Sequence, residues 1–116
     1  VSGAEPVLIA VGPLPGDAPA AAAEFHARVQ PLVLAAIDGG AALVTLAFAP
    51  ADHAHQAWRL AAVQTLAAAR TPARINAVAG DDAAAIAAAQ TFIAGAPGLT
   101  GQYLVLDGAG AGAVVG

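Results

Sequence analysis

His55 and Arg59 stand four residues apart, so a helix carrying both would present them on one face. A histidine can in principle act as acid or base. Asp52 and His53 precede them, and Asp52-x-x-His55 suggests a metal. Neighbours 52 and 53 on a helix cannot converge on one ion, so the reading is a helix cap at Asp52 and a solvated histidine pair. Gly12-Pro13-Leu14-Pro15-Gly16 is a glycine-bracketed loop, but two prolines remove two of the amides a phosphate would need. It reads as an ordinary turn. Ser2 has no His/Asp context, His26 stands alone on a helix, and Asp81-Asp82 suit a helix start. The single tryptophan, Trp58, is a packing anchor and a candidate interface hot spot. Taken by themselves, these residues assign no catalytic, cofactor-binding or metal site.

Composition narrows the setting. The chain has 116 residues, net charge −4, no cysteine, and four Lys plus Arg. Charged residues are 10% of the chain, against about 25% in an average domain. Apolar residues reach 59% with 4% aromatic, and alanine supplies most of the excess. Disorder is excluded by the apolar content, and a disulfide framework by the lack of cysteine. Four scattered basic residues cannot neutralise a nucleic-acid backbone. The nearest approach to a membrane span, Leu32 to Ala51, is cut by Asp38-Gly39-Gly40, and no signal peptide is visible. The expected setting is cytoplasmic, with no membrane or nucleic-acid partner. With so few charges the surface must expose apolar area, which usually belongs against another subunit.

The elements that must position these residues form one domain over 1–116. Pro6 to Val11 is a short apolar run suited to a strand buried on both faces. Asp17 caps a helix whose stripe is Phe25, Val29, Leu32, Val33 and Ile37, with Pro31 expected to kink or split it. Ala41 to Ala49 is a second strand. Asp52 opens a helix to about Arg70, with Trp58, Ala62, Val63 and Leu66 on its stripe, and Thr71-Pro72 breaks it. Arg74 to Ala79 is a third strand. Asp81-Asp82 begin a helix through Ile86, Gln90 and Ile93, and Gln102 to Asp107 is a fourth strand. Residues 108–116 are expected to be a coil tail. The order β-α-β-α-β-α-β predicts an α/β three-layer sandwich, with four parallel strands, three flanking helices and right-handed crossovers.

Five segments, in the right order, carry a resemblance. Arg74-Ile75-Asn76-Ala77-Val78-Ala79-Gly80 is similar to the "RVNAVAPG" strand and turn of short-chain dehydrogenases/reductases. Thr100-Gly101-Gln102-Tyr103-Leu104-Val105-Leu106-Asp107-Gly108 is similar to their terminal "TGQxLxVDGG". Gln64 to Ala69 resembles the helix before the first of these, Gly40 to Ala47 resembles "GxIVNISS", and Pro6 to Gly12 stands where the family has "DVLVNNAG". The resemblance implies a truncated Rossmann-like fold, the C-terminal half of a typical member. The glycine-rich dinucleotide turn belongs to the other half, so no cofactor site is expected here.

The family's catalytic set is Asn, Ser, Tyr and Lys. The resemblance places the Ser position at Phe48, or Ala47 in a slipped register. The Tyr and Lys positions fall at Asp52 and Gln56, or at His55 and Arg59 after a slip. The Asn position falls near Gln30-Pro31, and Gly80 runs directly into Asp81 where the family inserts a substrate lid. The helices and last strand through which the family assembles correspond to Asp17–Ile37, Asp52–Arg70, Asp81–Ala94 and Gln102–Asp107. The resemblance therefore implies a catalytically degenerate subunit that pairs with a full-length active member and stabilises or regulates it. Two alternatives stay open: an NAD(P)-dependent oxidoreductase active only within a complex, and a self-associating module, a homo-oligomer, that holds an apolar ligand.

Overall fold

The computed structural model describes residues 6–106, and the backbone of Val114–Val115. Its strands are β1 (Val7–Ala10), β2 (Leu43–Phe48), β3 (Arg74–Ala79), β4 (Tyr103–Leu106) and β5 (Val114–Val115). They form one sheet in the order β1-β2-β3-β4-β5. The first four are parallel, with Val7 opposite Val44, Leu43 opposite Arg74 and Ala77 opposite Tyr103. β5 pairs antiparallel with β4, so Val114–Val115 depart from the expected coil tail. Residues 108–113 and 116, the rest of that tail, lie outside the described residues, as does Asp107 at the end of the expected fourth strand.

The helices are α1 (Ala18–Glu24), α2 (Gln30–Asp38), α3 (His53–Ala69) and α4 (Ala83–Ala94). Each expected aspartate cap is in place. Asp17 accepts from Ala20 N at 3.0 Å, Asp52 from Ala54 N at 3.2 Å and Asp82 from Ala84 N at 3.3 Å. Each satisfies an amide that a first turn otherwise leaves unpaired.

Between α1 and α2 the chain runs on as a π-helical segment, Phe25–Val29. Gln30 donates to Phe25 O, five residues back. The wider turn absorbs Pro31, which has no N–H to give and whose ring would clash with the carbonyl four residues before it. One added residue rotates everything downstream by about 100°. The expected stripe is corrected accordingly: Phe25, Val29 and Val33 are buried, while Leu32 turns outward and is 51% exposed.

α1, the π segment, α2 and α3 cover one face of the sheet. Their core holds Phe25, Val29, Val33, Val63 and Leu66 against Val11, Val44, Leu46, Phe48 and Ile75. α4 covers the opposite face, where Ala85, Ala89 and Ile93 meet Leu43, Val78, Leu104 and Leu106. The strands advance in one direction while α4 lies on the other side. The β3–α4–β4 crossover therefore has the opposite hand to the two before it, and three right-handed crossovers are not what forms. The apolar row that α4 covers faces away from α1–α3, so no other described helix reaches it.

β1 is also not buried on both faces. Its residues alternate between half-buried and exposed, and Leu8 is 41% exposed. α4 covers β2 to β4 but leaves Leu8 and Ala10 open, and β1 is the edge of the described sheet.

Candidate functional site

The first strands end on one cleft. β1 runs into the loop Gly12–Gly16 and β2 into Ala49–Asp52, and the first turns of α3 close the third side. The space enclosed is about 350 Å³. This is the carboxyl end of a parallel sheet, where open α/β folds bind ligands because strands end and helices begin around a crevice. Gly12 has φ +78, a left-handed conformation that lets the chain turn away from β1. Arg28 pairs with Glu24 at 3.3 Å and donates to Pro13 O at 3.4 Å, tying the loop to the helix behind it.

His55 and Arg59 both line this cleft, one turn apart on α3. The indole Nε1–H of Trp58 donates to His55 Nδ1 at 3.1 Å. An indole nitrogen can only donate, so Nδ1 carries no proton. The proton is on Nε2, which donates to Gly16 O at 3.0 Å. Both ring nitrogens are thus engaged within the chain, and the imidazole serves to hold the loop against α3.

Arg59 is 4% exposed. Its Nη1 donates to Ala49 O at 2.8 Å and to the Tyr103 hydroxyl at 3.0 Å, and its guanidinium lies 4.4 Å from the Phe48 ring centroid. Nε is buried and has no hydrogen-bond partner. Phe48 itself joins an aromatic cluster with Phe25, Trp58 and Tyr103, centroids 5.7, 5.9 and 6.2 Å away. This cluster fixes the floor on which the guanidinium rests.

Phe48, where the resemblance puts the Ser position, is buried beneath the guanidinium and offers no hydroxyl, and neither does Ala47, the position in the slipped register. Asp52 caps α3 at the cleft mouth, and Gln56 is not among the lining residues. Gln30 lines a separate groove with His26 and Trp58. His26 bonds its own helix at Ala22 O, 2.7 Å. Among the described residues no three His, Asp or Glu gather as metal ligands, and no helix is long and apolar enough to cross a membrane.

The burial of Arg59 and its bond to Tyr103 escaped the sequence reading. One signal was present: Arg59, Ala62 and Leu66 follow the three-and-four spacing of the buried stripe, so a cation occupied a core-facing line.

The second motif has a structural account. Asn76 is fully buried in β3. It donates to Leu99 O at 2.9 Å and accepts from Gln102 N at 3.0 Å. Thr100 accepts from Ile75 N at 3.2 Å, and Gly101 holds φ +72 with Ala67 and Gln64 close by. Arg74 donates to the carbonyls of Ile93, Ala96 and Leu99. Together these clamp the end of α4 and the turn into β4, which sets where Tyr103 meets Arg59.

A family model described as short chain dehydrogenase-like protein matches residues 9–106. Neither the curated proteins nor the solved structures gave a match. The matched stretch runs from β1 to the last residue of β4 and includes every residue of the cleft and of the Asn76 clamp. The chain belongs to the short chain dehydrogenase-like protein family.

Proposed function

We propose that this chain is a non-catalytic member of its family that associates with an active short-chain dehydrogenase/reductase and stabilises or regulates it. The observation that carries the reading is the set of side chains at the cleft. Where such a reductase needs a hydroxyl and a free acid–base group, the chain has Phe48 and a histidine with both nitrogens committed. A base must have a lone pair within reach of the substrate, and His55 has none to offer in this arrangement.

The partner half of the reading rests on apolar surface. Leu8 on the open strand β1, Leu32 on α2 and Leu60 on α3 are 41%, 51% and 37% exposed. An edge strand with no partner among the described residues on its outer side is a template for another strand, and proteins usually cover it. With 10% charged residues, the surface has little to keep such patches apart. A cytoplasmic setting belongs to the same reading.

The test mixes the chain with a purified active reductase from the same source and follows NAD(P)H oxidation. The chain alone is expected to be inactive, and the reductase to gain thermal stability or change its rate in a saturable way. Turnover by the isolated chain, lost on changing His55, overturns the reading in favour of an enzyme that uses His55 and Arg59. Leu8→Glu should abolish the effect on the reductase while leaving the fold intact.

A further inference from the structure

We propose that the cleft at the carboxyl ends of β1 and β2 binds a small oxyanion, a carboxylate or phosphate carried on a compact apolar body, with Arg59 as its counter-ion. Arg59 lines the cleft and is nonetheless 4% exposed. Its two partners, Ala49 O and the Tyr103 hydroxyl, are neutral. Among the described residues no carboxylate lies within 4 Å of it, the one ion pair being Arg28 with Glu24. A charge out of water with no opposite charge is costly, and proteins that keep one usually supply it with a partner. A guanidinium lying against aromatic rings, whose Nη1 alone is hydrogen-bonded among the described residues and whose Nη2, unlike Nε, is not buried, is a preorganised receiver for oxygen anions through Nη2.

The surroundings favour the same ligand class. The amino end of the 17-residue helix α3 opens on this cleft and adds positive potential. Asp52, whose carboxylate caps that helix at Ala54 N, is the negative group among the lining residues and offsets part of it. Two prolines in the Gly12–Gly16 loop leave few backbone donors, so the guanidinium and not a nest of amides must hold the anion. Pro13, Leu14, Pro15, Pro50 and Ala51 make the remaining wall apolar. At about 350 Å³ the space is at the low end for small-molecule sites, which favours a compact ligand. The inference does not depend on a partner subunit, since every residue of the site is in this chain.

The experiment uses the full chain, labelled with ¹⁵N, and titrates inorganic phosphate and isobutyrate separately at constant ionic strength, with chloride as the balancing salt. The readouts are the Arg59 Nε–H and Trp58 Nε1–H resonances. A saturable shift at both with at least one anion supports the site, and the tighter anion identifies phosphate or carboxylate as the headgroup. Arg59→Gln should weaken that binding at least about tenfold, or ~1.4 kcal/mol. Arg70→Gln, at the far end of α3 and bonded to its neighbour's carbonyl, should leave it unchanged. Shifts that rise linearly, that chloride reproduces, or that appear away from Arg59 mean adventitious ion binding and overturn the proposal. If Arg59→Gln does not fold, the wild-type titration decides: an unmoved Arg59 resonance overturns the proposal, as it would if a carboxylate of the chain itself already held the guanidinium.

Discussion

Replacing Arg59 by methionine separates a cation kept for a ligand from one kept for the fold. Three terms hold Arg59 in place: two hydrogen bonds from a charged donor, at about 1.5–3 kcal/mol each, and the contact over Phe48, at about 2 kcal/mol. They total roughly 5–8 kcal/mol. Against them stands the effective penalty of burying a charge that has no counter-ion among the described residues, several kcal/mol, to which the unbonded Nε adds. The two sides nearly cancel. Methionine keeps an unbranched chain over Phe48, removes the charge and leaves Ala49 O and the Tyr103 hydroxyl to find other partners. Arg59→Met should therefore lie within about 1 kcal/mol of the wild type. Arg59→Ala also loses the stem and opens a cavity, and should fall by about 2–4 kcal/mol. Urea unfolding followed by far-UV circular dichroism reads both, as a shift of midpoint at unchanged slope. A loss above about 3 kcal/mol for Arg59→Met would refute the reasoning, because the guanidinium would then be fully satisfied by the chain itself.

Three further outcomes follow from the same geometry. Asn76→Ala strips Gln102 N of its buried partner and should cost about 2–4 kcal/mol, lowering the thermal midpoint by roughly 10 °C or more; a change under about 1 kcal/mol would mean the clamp is redundant. Gly101→Ala places a side chain at φ +72 and should cost about 1–2 kcal/mol through strain, since the contacts at the new Cβ are ordinary. Nitrogen NMR of the imidazole should find His55 as the Nε2–H tautomer, and Trp58→Phe should free Nδ1 without unfolding the chain; an Nδ1–H tautomer contradicts the assignment.

The elements were legible where local chemistry is decisive. Asp17, Asp52 and Asp82 start helices because a carboxylate can take a first-turn amide, and the runs Leu43–Phe48 and Arg74–Ala79 are strands because both faces are covered. Reading failed where the answer depends on a neighbour distant in the chain. Pro31 announced a disturbance, but only the π turn at Phe25–Val29 decides that Leu32 and not Val33 faces outward. The run before Gly12 looks like a doubly buried strand, yet its exposure is set by α4 reaching β2 to β4 and no further. The side of the sheet taken by α4, and hence the hand of its crossover, has no local signature in Gly80–Asp82. At the cleft, the four-residue spacing of His55 and Arg59 correctly placed both on one wall. It could not show that Trp58 and Gly16 occupy the imidazole, or that Tyr103, forty-four residues on, meets the guanidinium.

Native mass spectrometry of the chain mixed with an active reductase from its own source bears most directly on the central claim, that this fold now serves contact and not turnover. The account predicts a discrete assembly of defined stoichiometry containing both polypeptides, lost with Leu8→Glu. A chain that stays monomeric beside the reductase at micromolar concentration would contradict it.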